Sequence, residues 1–358
     1  MKDLLKELTA IHGPCGFEDE VAIYIANRLK GKVDSIKIDN AGNLITIKKG
    51  HKPGPKIIVA AHMDEVGFIV KKIEKNGLIR FEKLGGHDDR ILLSQRVQIK
   101  TATGMRTGVI GTISAHMVKF DDPMKVRIHR NLYIDVGAGS QQEAKDLGIE
   151  IGDSVTWFPH FDLLTETRVS GKAFDDRAGC AILVKALEDL DSADFVGEII
   201  GVFTVQEEVG LRGARTAAHQ FDADVALALD TTAVSDTPEE MMDNTLALGD
   251  GVGIKVIDFS LIANKKVKNQ LVKAANEHDI NYQLEVFPGI GTDAGELSVG
   301  QSGMPTGVLS IPSRYAHSSI EVIDLNDVEA TRQLLVAFIK EMNYAADYRV
   351  KLNLEETK

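Results

Sequence analysis

Cysteine is nearly absent, with Cys15 and Cys180 the only two in 358 residues. Far apart in the chain, they build neither a disulfide framework nor a thiolate metal motif, and Cys180 on an apolar helix face reads as core. Positive charge is also in deficit: 53 acidic residues against 41 Lys and Arg leave a formal net charge of −12. Nucleic acid and anionic membrane select cationic surfaces, so neither is expected as a partner. No stretch approaches the roughly 18 uninterrupted apolar residues of a membrane span, and the opening MKDLLKELTAIHGP carries charges throughout. The expected location is the cytoplasm. Internal repeats and low-complexity tracts are missing too.

What is present is a globular composition, 44% hydrophobic and 26% charged, with length for one large domain and a smaller second one. Apolar runs stop abruptly at polar chemistry: IIVAA before His62, IIGVFTV before Gln206-Glu207-Glu208, VALAL before Asp230, and TGVLSI shortly before Arg314-Tyr315-Ala316-His317. Such runs read as strands buried on both faces. Open α/β sheets bind ligands just beyond the carboxyl ends of their strands. Asp175 differs, since it precedes the helical pattern AGCAILVKAL and would sit at a helix entrance. Asp176 could compete with it, or cap the helix, or pair with Arg177. A fold that gathers His62, Asp175, Glu208, Asp230 and His317 makes a two-metal site, and imidazole with carboxylate suits zinc, cobalt or manganese.

The N-terminal region reads as two helices and a hairpin, followed from about Val66 by short β-like segments such as GFIVKKIEK and RTGVIGTIS. Helix and strand then alternate from AGCAILVKALEDL to VEATRQLLVAFIKEM. The expected architecture is a discontinuous catalytic α/β domain, 1–66 and 168–358, with a mixed sheet covered by helices. Residues 67–167 are expected to form an inserted small β domain.

The motifs AHMDEVGF, GKAFDDRAG, VQEEVGLRGA, LALDTT, GTDAG and RYAHS resemble those of the tetrahedral, or TET, aminopeptidases, which include glutamyl, leucyl and deblocking enzymes. The resemblance runs from the first helix to the last and implies a zinc-exopeptidase-like (phosphorylase/hydrolase-like) fold. It further implies two divalent ions per subunit, zinc foremost, with Asp175 bridging. His62 and Asp230 would complete one metal, and Glu208 and His317 the other. Glu207 would be the general base, and Asp64 would hydrogen-bond the far ring nitrogen of His62. Substrates would be short peptides with a free N-terminus. The inserted domain would pair subunits into dimers that build a tetrahedral dodecamer, with Met117 to Asn131, including Asp121, Asp122 and Pro123, as an interface or a loop over the site.

Lys255 resembles a basic pocket residue of glutamyl members and would select acidic N-terminal side chains, unless it is an ordinary exposed strand lysine. Thr292 and Asp293 are expected to bind substrate, or else to belong to a tight turn. A broad or leucyl-type specificity is the alternative. More distant alternatives are a metal-free glycosidase, matching the endoglucanase label of some members, a zinc deacylase or carboxypeptidase, and a non-catalytic metal-binding scaffold. The remaining histidines, His12 and His87 among them, are expected outside the ligand positions, and His116 borders a possible active-site loop. His87 stands where many relatives carry an aromatic residue. Pro288-Gly289-Ile290-Gly291 departs from a more glycine-rich approach to Thr292.

Overall fold

The structure, a computed structural model, describes residues 1–120, 122, 124–238, 245–342 and 348–349. Four of the apolar runs form its centre. Strands Glu198–Thr204, Lys56–His62, Val225–Ala233 and Thr306–Arg314 lie side by side in that order, all parallel. Alternate side chains serve opposite faces: Ile57, Val59 and Ala61 enter one apolar core, while Ile58 and Ala60 enter another. Both faces are therefore covered, which is why these runs show no polar alternation.

Seven further strands extend the sheet to eleven, and most are antiparallel additions. Leu44–Lys49 and Ser35–Ile38 flank one side, and Glu321–Asp324, Arg168–Gly171 and Phe161–Leu163 the other. Val252–Ile257 and Tyr282–Val286 branch from Thr306–Arg314. Helix Phe174–Asp189 packs on the first face, beneath Lys2–Ala10, Asp19–Leu29 and Leu325–Glu341. Helices Arg212–Ala218 and Ala294–Ser298 cover the second. Buried Arg177 ties the N-terminal segment down, donating to the carbonyls of Leu8, Ile11, Gly13 and Met63.

From Gly67 to Trp157 the chain leaves the sheet and forms a closed barrel. Its strands run from Gly67–Ile73 to Ser154–Trp157, and Phe68, Phe81, Val97, Ile99 and Trp157 fill a core of their own. Phe161–Leu163, within the 67–167 stretch expected to form the insertion, hydrogen-bonds to Arg168–Gly171 in the large sheet. The barrel strands therefore end at Trp157. Ala115–Phe120 and His129–Asn131 form short 3-10 turns, and Met117, Val118, Met124, Val126 and Ile128 are exposed. Asp121 and Pro123 lie outside the described residues. Among the described residues no helix is long and apolar enough to cross a membrane.

Candidate metal centre

Because the four central strands are parallel, their carboxyl ends share one edge, and His62, Glu207, Glu208, Asp230 and His317 line a cavity there of about 650 Å³. Asp175 joins them from the start of helix Phe174–Asp189, where φ −77° and ψ 109° set it outside the helical turn. His62 Nε2 lies 3.0 Å from Asp175 Oδ1 and 3.7 Å from Asp230 Oδ1. His317 Nε2 lies 3.4 Å from Asp175 Oδ2 and 3.1 Å from Glu208 Oε1. The two oxygens of Asp175 thus face different imidazoles. Within each triad, His62–Asp175–Asp230 and Asp175–Glu208–His317, the donor atoms lie within 4.8 Å of one another.

The second nitrogen of each ring decides how this arrangement is read. His62 Nδ1 donates to the main-chain oxygen of Asp64 at 3.0 Å, and His317 Nδ1 donates to the Gly86 carbonyl at 3.0 Å. With Nδ1 so engaged, a neutral ring would turn a lone pair at Nε2 toward two carboxylate oxygens, a contact that only a proton or a cation can relieve. Among the described residues, buried Glu208 Oε1 has no hydrogen-bond partner. Zinc–ligand distances of about 2.0–2.2 Å correspond to tetrahedral ligand edges of about 3.3–3.6 Å, which the spacings above bracket. The donor set fits a cation in each triad.

Electrostatics agree. Burial, followed by the charge on Asp175, pushes Asp230 up to about 7. Burial, with Asp230, Asp293 and Glu208 adding repulsion, holds Glu207 well above the carboxylate range. Burial opposes charge on His317, yet Glu208 and Asp175 outweigh it and push the ring up to about 12. Too many buried carboxylates share too little positive charge, the condition a bound cation relieves.

Asp64 is buried beside His62. Its carboxylate stands 3.5 Å from His62 Nδ1, while its two oxygens accept the N–H groups of Glu207 at 3.0 Å and Glu208 at 3.2 Å. Those two amides claim the carboxylate, and the Asp64 main chain orients the ring instead. Asp176 caps its helix through the Gly179 N–H at 2.9 Å, while Arg177 turns to main-chain carbonyls and Glu65.

The M42 glutamyl aminopeptidase family model matches residues 42–334. The chain belongs to that family. It is a peptidase, a hydrolase of the TET aminopeptidase group, with the zinc-exopeptidase-like fold. It is 42% identical to a putative aminopeptidase of Acetivibrio thermocellus, covering 95% of this chain and 98% of that one. Identity to the lysyl aminopeptidase of Pyrococcus furiosus is 34%, covering 95% and 97%. Among solved structures, an aminopeptidase of Desulfurococcus kamchatkensis superposes with a TM-score of 0.92 at 41% identity, covering 96% and 95%. The Pyrococcus horikoshii TET1 peptidase, which can assemble into a tetrahedron or an octahedral shell, gives 0.86 at 34% identity, covering 95% and 99%.

Three expected pocket residues of this family member do not line the cavity. Lys255, only 1% exposed, is neither a surface lysine nor a free pocket cation. Its Nζ lies 3.1 Å from Glu285 Oε1 and 3.8 Å from Asp258 Oδ2, because parallel pairing sets Lys255 opposite Glu285. Thr292 is buried and donates to Asp258 Oδ2, and Asp293 is buried and accepts from Thr204 Oγ1 at 2.5 Å. Their neighbours Gly289, Ile290 and Gly291 form the wall instead. The barrel contributes as well: Gly86, His87 and Asp88 close one side of the cavity, with the His87 ring 4.5 Å from that of Phe68. The Gly85-Gly86-His87 run was the available signal.

Proposed function

We propose that the protein is a two-metal aminopeptidase that removes N-terminal residues from short peptides and favours uncharged side chains there. The observation that carries this reading is the Asp175 carboxylate, shared between two triads whose ring nitrogens face it from opposite oxygens. When bound, two divalent ions supply Lewis acidity to the scissile carbonyl and lower the pKa of water, and zinc, cobalt or manganese suits these ligands. Glu207, lining the same cavity, accepts a proton from water at a carboxylate oxygen and returns it to the departing amine. Asp64 holds Glu207 and Glu208 at their amides, and Gly86 holds the His317 ring. A glycosidase would leave both imidazoles without a role.

The uncharged preference follows from Lys255, whose ammonium is sealed behind the wall and countered by Glu285 and Asp258. Leu211, Ala233, Phe259, Ile290 and Ala316 give the cavity an apolar side instead. An acidic preference would require Lys255 to leave those carboxylates. Elemental analysis beside a panel of Leu-, Glu- and Lys-anilides, with an N-acetylated control, tests the whole reading. Two ions per subunit, loss of activity on chelation and no cleavage of the acetylated substrate are expected, whereas full activity in metal-free protein overturns the mechanism.

The same reading makes the barrel an assembly domain. The exposed apolar side chains Met117, Val118, Met124, Val126 and Ile128 suit an interface between copies, and a related TET peptidase forms a tetrahedral shell. Light scattering should find a dodecamer that Val126→Asp disrupts. A dilute monomer with full activity would refute it.

A further inference from the structure

Four of the six residues in and beside the triads have main-chain amides that no regular hydrogen-bond ladder serves; those of Glu207 and Glu208 go to Asp64, which leaves Asp175 and His317. Asp175 sits in a turn with non-helical torsions, and His317 occupies a loop at φ 62°, in the left-handed region. One buried side chain takes both amides. Glu321, the first residue of strand Glu321–Asp324, is 1% exposed. Its Oε1 accepts the His317 N–H at 3.0 Å, and its Oε2 accepts the Asp175 N–H at 3.2 Å.

The choice of residue is informative. Among the described residues Glu321 forms no ion pair with a lysine or arginine, and its two oxygens are taken by main-chain donors. A buried carboxylate is an expensive way to hold a loop when an amide or hydroxyl would satisfy one donor. It is the side chain that can accept from two diverging N–H groups through two equivalent oxygens. Strand pairing with Arg168–Gly171 fixes where it stands, opposite Gly171. The two residues it fastens both belong to the Asp175–Glu208–His317 triad, and Asp175 is also shared with the other.

We propose that Glu321 is a positioning residue whose carboxylate fastens the main chain at Asp175 and at His317, and so sets the ligand spacing of the second triad. The inference rests on the two-metal reading above. The first triad retains His62 and Asp230, neither of which Glu321 touches, so its loss acts unequally on the two ions. Ligands must be held to within about 0.5 Å of productive geometry, and losing an outer support of this kind typically weakens metal affinity about 10–100-fold.

The experiment compares wild type, Glu321→Gln and Glu321→Asp across a graded series of zinc buffers, measuring zinc per subunit, Tm, kcat and KM. Glutamine offers one acceptor and presents an N–H₂ to the other amide, so one of the two ions should bind about 10–100-fold more weakly while the other is retained. Added zinc should restore kcat with KM unchanged. Glu321→Asp keeps both acceptors on a shorter stem and should show a smaller loss in the same direction. It carries the test if circular dichroism shows Glu321→Gln unfolded. A variant that loses Tm yet keeps both ions at wild-type affinity makes Glu321 purely structural and overturns the proposal. Fewer than two ions in the wild type would sink the two-metal reading and this inference with it, whereas two in the wild type and two equally tight in the variants would sink this inference alone.

Discussion

Asp64 and Glu207 are joined through the main chain: Asp64 Oδ1 accepts the Glu207 N–H at 3.0 Å, and Oδ2 accepts the following amide, Glu208, at 3.2 Å. The carboxylate therefore fixes the turn that presents a candidate base and a candidate ligand side by side. Gln206 opens that turn at φ 55°, and no strand pairing continues beyond Thr204 to hold it.

Asp64→Asn should thus damage both neighbours at once. Asparagine keeps one acceptor and sets an amide N–H₂ against the other N–H, so kcat and zinc affinity should each fall about 10–100-fold. Stability should drop by about 1–3 kcal/mol from the unsatisfied buried donor. Zinc titration, steady-state kinetics and denaturant unfolding read the three effects. Wild-type zinc affinity in the variant would show that the clip does not position Glu208.

Glu207 and Glu208 should separate cleanly. Glu207→Gln should keep two ions and lose about 10²–10⁴ in kcat with KM little changed, the signature of lost proton transfer. Glu208→Gln should shed an ion, because Glu208 Oε1 stands 3.1 Å from His317 Nε2 within a triad. If the Glu207 variant loses zinc instead, Glu207 is a ligand and the base lies elsewhere.

His62, Glu208, Asp230 and His317 stood out in the sequence because each follows a long apolar run, and parallel strands carry such ends to one edge, whereas Asp175 stood out as the residue that opens a helix. What stayed hidden was non-local or carried by the main chain. Lys255 reads as a strand lysine until the register with Tyr282–Val286 brings Glu285 beside it. The carbonyls of Asp64 and Gly86, which orient His62 and His317, leave no trace in residue identity. The sheet that Phe161–Leu163 joins stayed hidden for a related reason: it is a short, half-exposed edge strand, and only its hydrogen bonds to Arg168–Gly171 show the pairing.

The buried pair of Lys255 and Glu285 yields a test of specificity and stability together. Lys255→Met leaves Glu285 and Asp258 without their cation and should cost about 3–5 kcal/mol, the usual penalty for breaking a buried pair from one side. The double variant Lys255→Met/Glu285→Gln should recover part of that loss in denaturant unfolding. In both, cleavage of Leu- and Glu-anilides should change by the same factor. A selective loss on the Glu-anilide would instead place the Lys255 charge in contact with substrate.

His12 sets a pH dependence of folding at the junction of sheet and barrel. Its Nε2 lies 2.8 Å from Ser154 Oγ and its Nδ1 3.1 Å from Thr156 Oγ1, both on the barrel strand Ser154–Trp157. Burial, then the charges of Lys172, Lys100 and Arg177, hold its pKa down to about 3 from an ordinary 6.5. The folded ring is neutral where the unfolded one would take a proton. Its contribution is therefore complete above pH 6.5, declines as pH falls below that value, and is exhausted near pH 3. Within that window one such proton gives a slope of up to about 1.4 kcal/mol per pH unit. His12→Gln, which cannot titrate but can still hydrogen-bond a hydroxyl, should be less stable than wild type at pH 7 and should converge on it as pH falls. Unfolding curves for the two proteins that stay parallel from pH 7 to pH 4 would show that His12 is not the group responsible.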